Sequence, residues 1–178
     1  MTTQIWHLTP DRAVEWRQIR LQALRDAPDA FDASDADWSG RPLADFAARL
    51  AQGRVFAAGP SPGRPLAVAS WDRDMDADNP LRGWLMSMFV VPEQRGRGLA
   101  DRLLGAVAQD AADHGMTSLG LNVRGGNLRA IRLYRRLGFL DSGRTGLVGA
   151  SGAPEIEMTL KISVISPLPA LERPAVTR

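Results

Sequence analysis

The sequence predicts a mixed α/β (α+β) fold, and three observations carry that expectation. Two short β-prone runs, residues 54–58 and 66–71, flank the turn-forming Gly59-Pro60-Ser61-Pro62-Gly63, the pattern of a hairpin. Residues 84–91 form the most apolar run of the chain, of strand length and bounded by Gly83 and Pro92, as expected for a buried central strand. Beyond it, helical and strand periodicities alternate to residue 162.

Taken in order, residues 4–8 read as a strand. Thr9, Pro10 and Asp11 then offer helix-start chemistry to an amphipathic run ending near Arg25, with Ala13, Trp16, Ile19 and Leu24 on its apolar face. Residues 26–37, with five aspartates around Pro28 and Phe31, read as an acidic loop, and a second helix follows Pro42 to Gln52. From Leu99, the positions Leu103, Ala106, Val107 and Ala111 recur at helical spacing, and His114-Gly115 is a stop. Residues 118–123 alternate as a strand does, and Gly125-Gly126 breaks it. Asn127 is an N-cap for a helix carrying Ala130, Ile131, Tyr134 and Leu137, with Gly138 at its C-terminus. Phe139 leads into a further strand, and residues 155–162 form the last one.

A chain of 178 residues with 44% hydrophobic and 24% charged residues is expected to be one globular domain, residues 1–163, followed by a loose Pro-containing tail, 164–178. The sequence pI of 9.9 overstates its basicity. The formal charge is only +2, and Lys161 and Tyr134 are the sole lysine and tyrosine. Nucleic-acid binding is therefore not expected. The absence of cysteine excludes disulfides, thiolate metal sites and a cysteine nucleophile. Neither a leader pattern nor an 18-residue apolar window is present, so a cytoplasmic protein with no membrane partner is expected.

The chemistry concentrates after the central strand. In Arg95-Gly96-Arg97-Gly98-Leu99-Ala100, glycines let the backbone approach an anion while the amides and dipole of the following helix point at it. Tight turns use glycine for conformational reasons too, so this pair alone does not separate a cradle from plain architecture. The dinucleotide fingerprint would need glycine at Asp101, and the Walker A pattern would need Gly-Lys-Ser/Thr; neither is met.

Residues 91–100 resemble the R-x-x-G-x-G/A acetyl-CoA motif of the GCN5-related N-acetyltransferases (GNAT), with Arg95, Gly98 and Ala100 at its defining positions. Asn127, Ala130, Leu133, Tyr134, Gly138 and Phe139 then match the family's N-x-x-A-x-x-L-Y-x-x-x-G-F segment. The resemblance is sharp over residues 84–139. It implies a GNAT-type acyl-CoA N-acyltransferase fold, with a mostly antiparallel central sheet, and transfer of acetyl from acetyl-CoA to a primary amine without a metal. It also implies pairing of Met88, Phe89 and Val90 with the pantetheine arm. Arg95, Gly96, Arg97, Gly98, Leu99 and Ala100 would cradle the pyrophosphate, Asn127 would contact the coenzyme, and Tyr134 would protonate the departing thiolate. On the residues alone, Tyr134 could equally be a packing residue and Asn127 only a cap.

The acceptor, a small-molecule or peptide amine, is not specified, nor is the choice between monomer and homodimer. No base is assigned: residues 84–91 hold no carboxylate, Glu93 reads as a solvated loop residue, and Ser87 is a weak candidate for ordering a water. The acidic loop could attract a cationic amine, or simply be solvated. Asp72, Asp74, Asp76 and Asp78 imitate a calcium loop but lack its glycine and closing glutamate. His7 and His114 have no partnered motif, and the arginines at 129, 132, 135 and 136 are left unassigned between a solvated helix face, the ordinary place for them, and contact with the coenzyme's 3′-phosphate or nucleic acid. A non-catalytic acyl-CoA sensor is the rival reading.

Overall fold

The computed structural model describes residues 3–75, 78–148, 152 and 154–162. The tail expected from residue 164, together with Asp76 and Ala77, lies outside them.

Among the described residues, seven strands form one sheet in the order β1-β2-β3-β4-β5-β7-β6. They are β1 (Gln4–His7), β2 (Arg54–Gly59), β3 (Ala67–Arg73), β4 (Arg82–Val90), β5 (Ser118–Arg124), β6 (Leu140–Val148) and β7 (Pro154–Lys161). Only β4 and β5 pair in parallel; the other neighbours are antiparallel. The parallel step is made by the helix α4 (Leu99–Asp113), which returns the chain across the sheet.

The central strands are covered on both faces, which is why the sequence reads there as continuous apolar runs. Along β3, Ala67, Ala69 and Trp71 join a core under α4 and α5 (Leu128–Arg136), with Leu103, Val107, Leu119 and Phe139. Val68 points the other way, with Val55, Ala57 and Phe89, into a core under α1 (Ala13–Asp26) and α3 (Leu43–Gln52). On α4, Leu99, Leu103, Leu104, Val107, Ala108 and Ala111 are buried along one stripe. On α1 the buried stripe is Ala13, Trp16, Ile19, Ala23 and Leu24, close to the expected face.

Two expectations need correction. The acidic segment is not all loop: Pro28–Ala30 forms one turn of 3₁₀-helix and Asp35–Ser39 a short helix, α2. Ser34 and Asp37 close a reciprocal capping box at its start, so aspartates taken for solvation are partly helix-start chemistry. The central strand begins at Arg82, two residues before the apolar run. Arg82 and Gly83 continue the ladder because Arg82 is neutralised inside the fold, by Asp74 and by Glu157 at 3.0 Å.

Candidate active site

The site arises where β4 parts from β5. Their pairing is limited to Arg82↔Ser118, Gly83↔Leu119 and Trp84↔Gly120. The contact needs small residues there: a Cβ on Gly120 would lie 2.4 Å from the Trp84 ring, and one on Gly83 2.8 Å from Leu119. Beyond it, Ser87 takes φ +55°, and β4 carries one more residue than β3 between the pairs Val68↔Phe89 and Ser70↔Met86. This bulge bends β4 away, at a cost of about 1–3 kcal/mol for a non-glycine residue held in that region. β5 runs on with β7 through Arg124↔Glu155. Among the described residues, the β5-facing edge of β4 has no strand partner from Leu85 onward.

A cleft of about 590 Å³ opens along that edge. Its wall includes Met88, Phe89 and Val90 of β4, Arg95, Gly96, Gly98, Leu99 and Ala100 of the turn and α4, and Asn127 and Tyr134 of α5. Of the residues the resemblance assigns to the coenzyme or to protonating the thiolate, Arg97 alone is not on this wall; its side chain is exposed.

The turn into α4 is shaped by Gly96 and Gly98, both at φ +76°. Gly98 is the N-cap and offers no side-chain cap, and the first helical bond is Arg102 N–H to Gly98 O. The amides of Leu99, Ala100 and Asp101 therefore stand at a bare helix start beside the cleft. Arg95 folds back onto the end of β4: its Nε donates to Val90 O at 2.9 Å and its guanidinium lies 5.8 Å from the Phe89 ring. Burial, and secondarily the nearby Arg129, depress the pKa of Arg95, against the opposing pull of Asp26 and Glu93. Arg129 is on the cleft wall as well. Arg136, also there, is engaged by Asp101 through both carboxylate oxygens, whereas Arg132 and Arg135 are exposed. Bare amides and arginines beside an unpaired strand edge fit a chain of amides ending in a pyrophosphate, which is the form of acetyl-CoA.

Asn127 caps α5, its side-chain oxygen accepting from Ala130 N–H at 3.1 Å. Tyr134 is 8% exposed, and burial pushes its phenol well above the usual value, which favours the protonated phenol over the phenolate. Among the described residues its hydroxyl has no hydrogen-bond partner, and it also lines a second, smaller chamber.

That chamber, about 110 Å³, lies between the parted strands. It shares Phe31, Met88, Asn127 and Tyr134 with the large cleft and adds Ser87, Asn122, Arg124 and Glu155. Glu155 was missed in the sequence, as were Asn122 and Arg124. The available signal was period 2: Glu155 and Glu157 fall on one face of an otherwise apolar strand. Glu157 is consumed by its ion pair with Arg82, so Glu155 is left as the chamber's carboxylate. Glu93, nearest the cradle in sequence, is exposed.

The segment between α1 and α2 forms the rim. Phe31 is stacked at 5.1 Å by Arg20, which also lies 5.5 Å from the Trp38 ring. Burial, and then Arg49, push the Arg20 guanidinium down to about 10. Arg124 donates to Phe31 O at 3.1 Å. Part of the acidic segment is thus tied to the site by its aromatic residue and backbone. Among the described residues, no group of His, Asp and Glu converges as a metal would require. Among the described residues, no helix is long and apolar enough to cross a membrane.

Residues 13–139 match the model of the Acetyltransferase (GNAT) family. The L-methionine sulfoximine/L-methionine sulfone acetyltransferase of Pseudomonas paraeruginosa is 32% identical over 156 residues, covering 79% of this chain and 90% of that protein. The aminoglycoside N(6')-acetyltransferase type 1 of Stenotrophomonas maltophilia is 29% identical over 140 residues, 76% of this chain and 85% of that one. Among solved structures, that of yncA from Salmonella typhimurium with its cofactor acetyl-CoA superposes with a TM-score of 0.72 at 20% identity. The alignment covers 96% of this chain and all of that one (100%).

Proposed function

The chain belongs to the GNAT acetyltransferase family and is an acetyl-CoA-dependent N-acetyltransferase; from that premise we propose how it works and on what. Residues 1–163 act as one catalytic domain that holds acetyl-CoA and a small-molecule primary amine together, and acetyl passes directly between them. The observation that carries this reading is the unpaired edge of β4, which lines a single cleft together with the glycine turn and Tyr134.

The pantetheine amides pair with the free edge at Met88, Phe89 and Val90 in place of a strand. The pyrophosphate lies against the α4 amides, with Arg95 and Arg129 supplying positive charge. Attack of the amine on the thioester carbonyl builds negative charge on oxygen. A β4 amide fixed in the sheet stabilises it by about 3–4 kcal/mol, as single oxyanion donors do elsewhere. Tyr134, kept protonated by burial, gives its proton to the departing thiolate.

The choice of a small-molecule acceptor is supported by the relatives, which act on an amino-acid derivative and on aminoglycosides, and by the narrowness of the inner chamber. The test is calorimetry with acetyl-CoA, followed by thiol-release assays over L-methionine sulfone, spermidine and an aminoglycoside. Saturable binding and turnover of at least one amine are expected. Binding with no turnover of any amine would instead indicate a sensor.

A further inference from the structure

We infer that the inner chamber is the seat of the acceptor's amine, with Glu155 the base that takes its proton and the buried Asn122 oxygen the acceptor that holds its remaining N–H. The assignment rests on the direct-transfer reading above and supplies the base that β4 lacks.

Three observations converge on it. First, the chamber adjoins the cleft at Tyr134 and Met88, so a group held in it faces the end of the cleft where the thioester must lie. Second, its volume of about 110 Å³ is room for only about three or four water-sized groups, enough for a nitrogen and its first carbons. An unhindered primary amine enters, with the rest of the acceptor outside. Third, the polar groups are those an ammonium needs. Glu155 is the one carboxylate of the chamber among the described residues. Asn122 lines the same chamber, and its Oδ1 is buried with no partner among the described residues. An acceptor N–H satisfies that oxygen, which otherwise bears the cost of burial unpaired.

The surroundings of Glu155 suit a base. Burial, and then the charge of Asp32 on the rim, raise its pKa, against the opposing pull of Arg124 and the nearby Asn122 amide. No salt bridge pairs Arg124 with it; Arg124 sits 3.8 Å from Asp32 instead. From β4 and α5 only neutral polar groups, Ser87, Asn127 and Tyr134, face the chamber. A carboxylate with a raised pKa takes a proton more readily than a solvated one.

The protons balance as follows. The acceptor enters as R–NH₃⁺ and gives one proton to Glu155. The freed lone pair forms the C–N bond, the C–S bond breaks, and the thiolate takes the Tyr134 proton. Tyrosinate regains a proton from the nitrogen, which leaves as amide, and Glu155 releases its proton to water.

The experiment compares wild type with Glu155→Gln and Glu155→Asp, using whichever panel amine the wild type turns over best. Calorimetry with acetyl-CoA shows that each variant folds and binds the donor. For Glu155→Gln, kcat/KM for the amine should fall about 10²-fold or more. The wild-type fall in activity at low pH, set by Glu155, should be replaced in Glu155→Gln by a dependence on the free-amine fraction that persists up to the amine's own pKa, and should survive, shifted, in Glu155→Asp. With methoxyamine, whose nitrogen is neutral across the assay range, Glu155→Gln should act nearly as fast as wild type. A Glu155→Gln enzyme with an unchanged pH profile, or one equally impaired with methoxyamine, would overturn the assignment. A wild type that acetylates no amine would instead overturn the direct-transfer reading beneath it.

Discussion

Phe139 N–H donates to Tyr134 O at 2.9 Å while the two rings lie 5.5 Å apart, so the residue after the α5 stop fixes the phenol that faces the cleft. Gly138 N–H bonds to Arg135 O, and Gly138 itself takes φ +92°. Together these are the paired bonds of a Schellman stop, with its accompanying apolar contact. The Gly-Phe pair is therefore part of how Tyr134 is aimed.

Gly138→Ala is expected to cost about 1–2 kcal/mol, because an L-residue must hold the left-handed conformation. The added Cβ would also come 3.3 Å from Leu160. Denaturant unfolding measures the first effect. A fall in kcat exceeding any change in acetyl-CoA affinity would report the displaced Tyr134.

Tyr134→Phe removes a hydroxyl that bonds to nothing within the described protein, so unfolding free energy should change by less than about 1 kcal/mol. Turnover should drop by about 10²-fold while calorimetric affinity for acetyl-CoA holds. Since burial raises the phenol's pKa, its proton stays on as pH rises through the neutral and mildly alkaline range. No alkaline loss of activity should trace to Tyr134 there. Equal losses of binding and turnover would make it a packing residue.

Gly98→Val probes the cradle. A Cβ at Gly98 meets nothing within 4 Å, so the penalty in the free protein comes from φ +76° alone. Stability should fall by about 1–2 kcal/mol. Acetyl-CoA affinity should fall by a further tenfold or so, because the side chain stands where the pyrophosphate approaches. Calorimetry with unchanged affinity would contradict the cradle.

Arg82→Met tests the base of the parted strands. Glu157 is buried and bonded to Arg82 at 3.0 Å, so the substitution leaves a carboxylate without its cation. A loss of about 3–5 kcal/mol in urea unfolding is expected. Because Arg82 also stacks over Trp84 at 5.1 Å, the junction itself should loosen.

Much of the fold was legible because its signals are local. The buried stripe of α4, the Asn127 cap, the left-handed Gly98 and Gly138, and the hairpin of β2 and β3 each follow from a few neighbouring residues. α2 was not legible, because five aspartates read as solvation when two of its charges serve a capping box and an ion pair. Glu155 was not legible either. Its role depends on Asn122, Asp32 and Arg124, which other segments bring to it.

By itself, the sequence determined the glycine turn at residues 95–100, the helix bearing Tyr134 and the family both motifs announce, since spacing and backbone conformation are properties of short stretches. Only the tertiary structure decided that β4 and β5 part after Trp84 and Gly120. That depends on a bulge at Ser87 measured against a neighbouring strand, and on an indole seated over a distant glycine. The opening that results is what gives the turn, the tyrosine and the Glu155 carboxylate a common space.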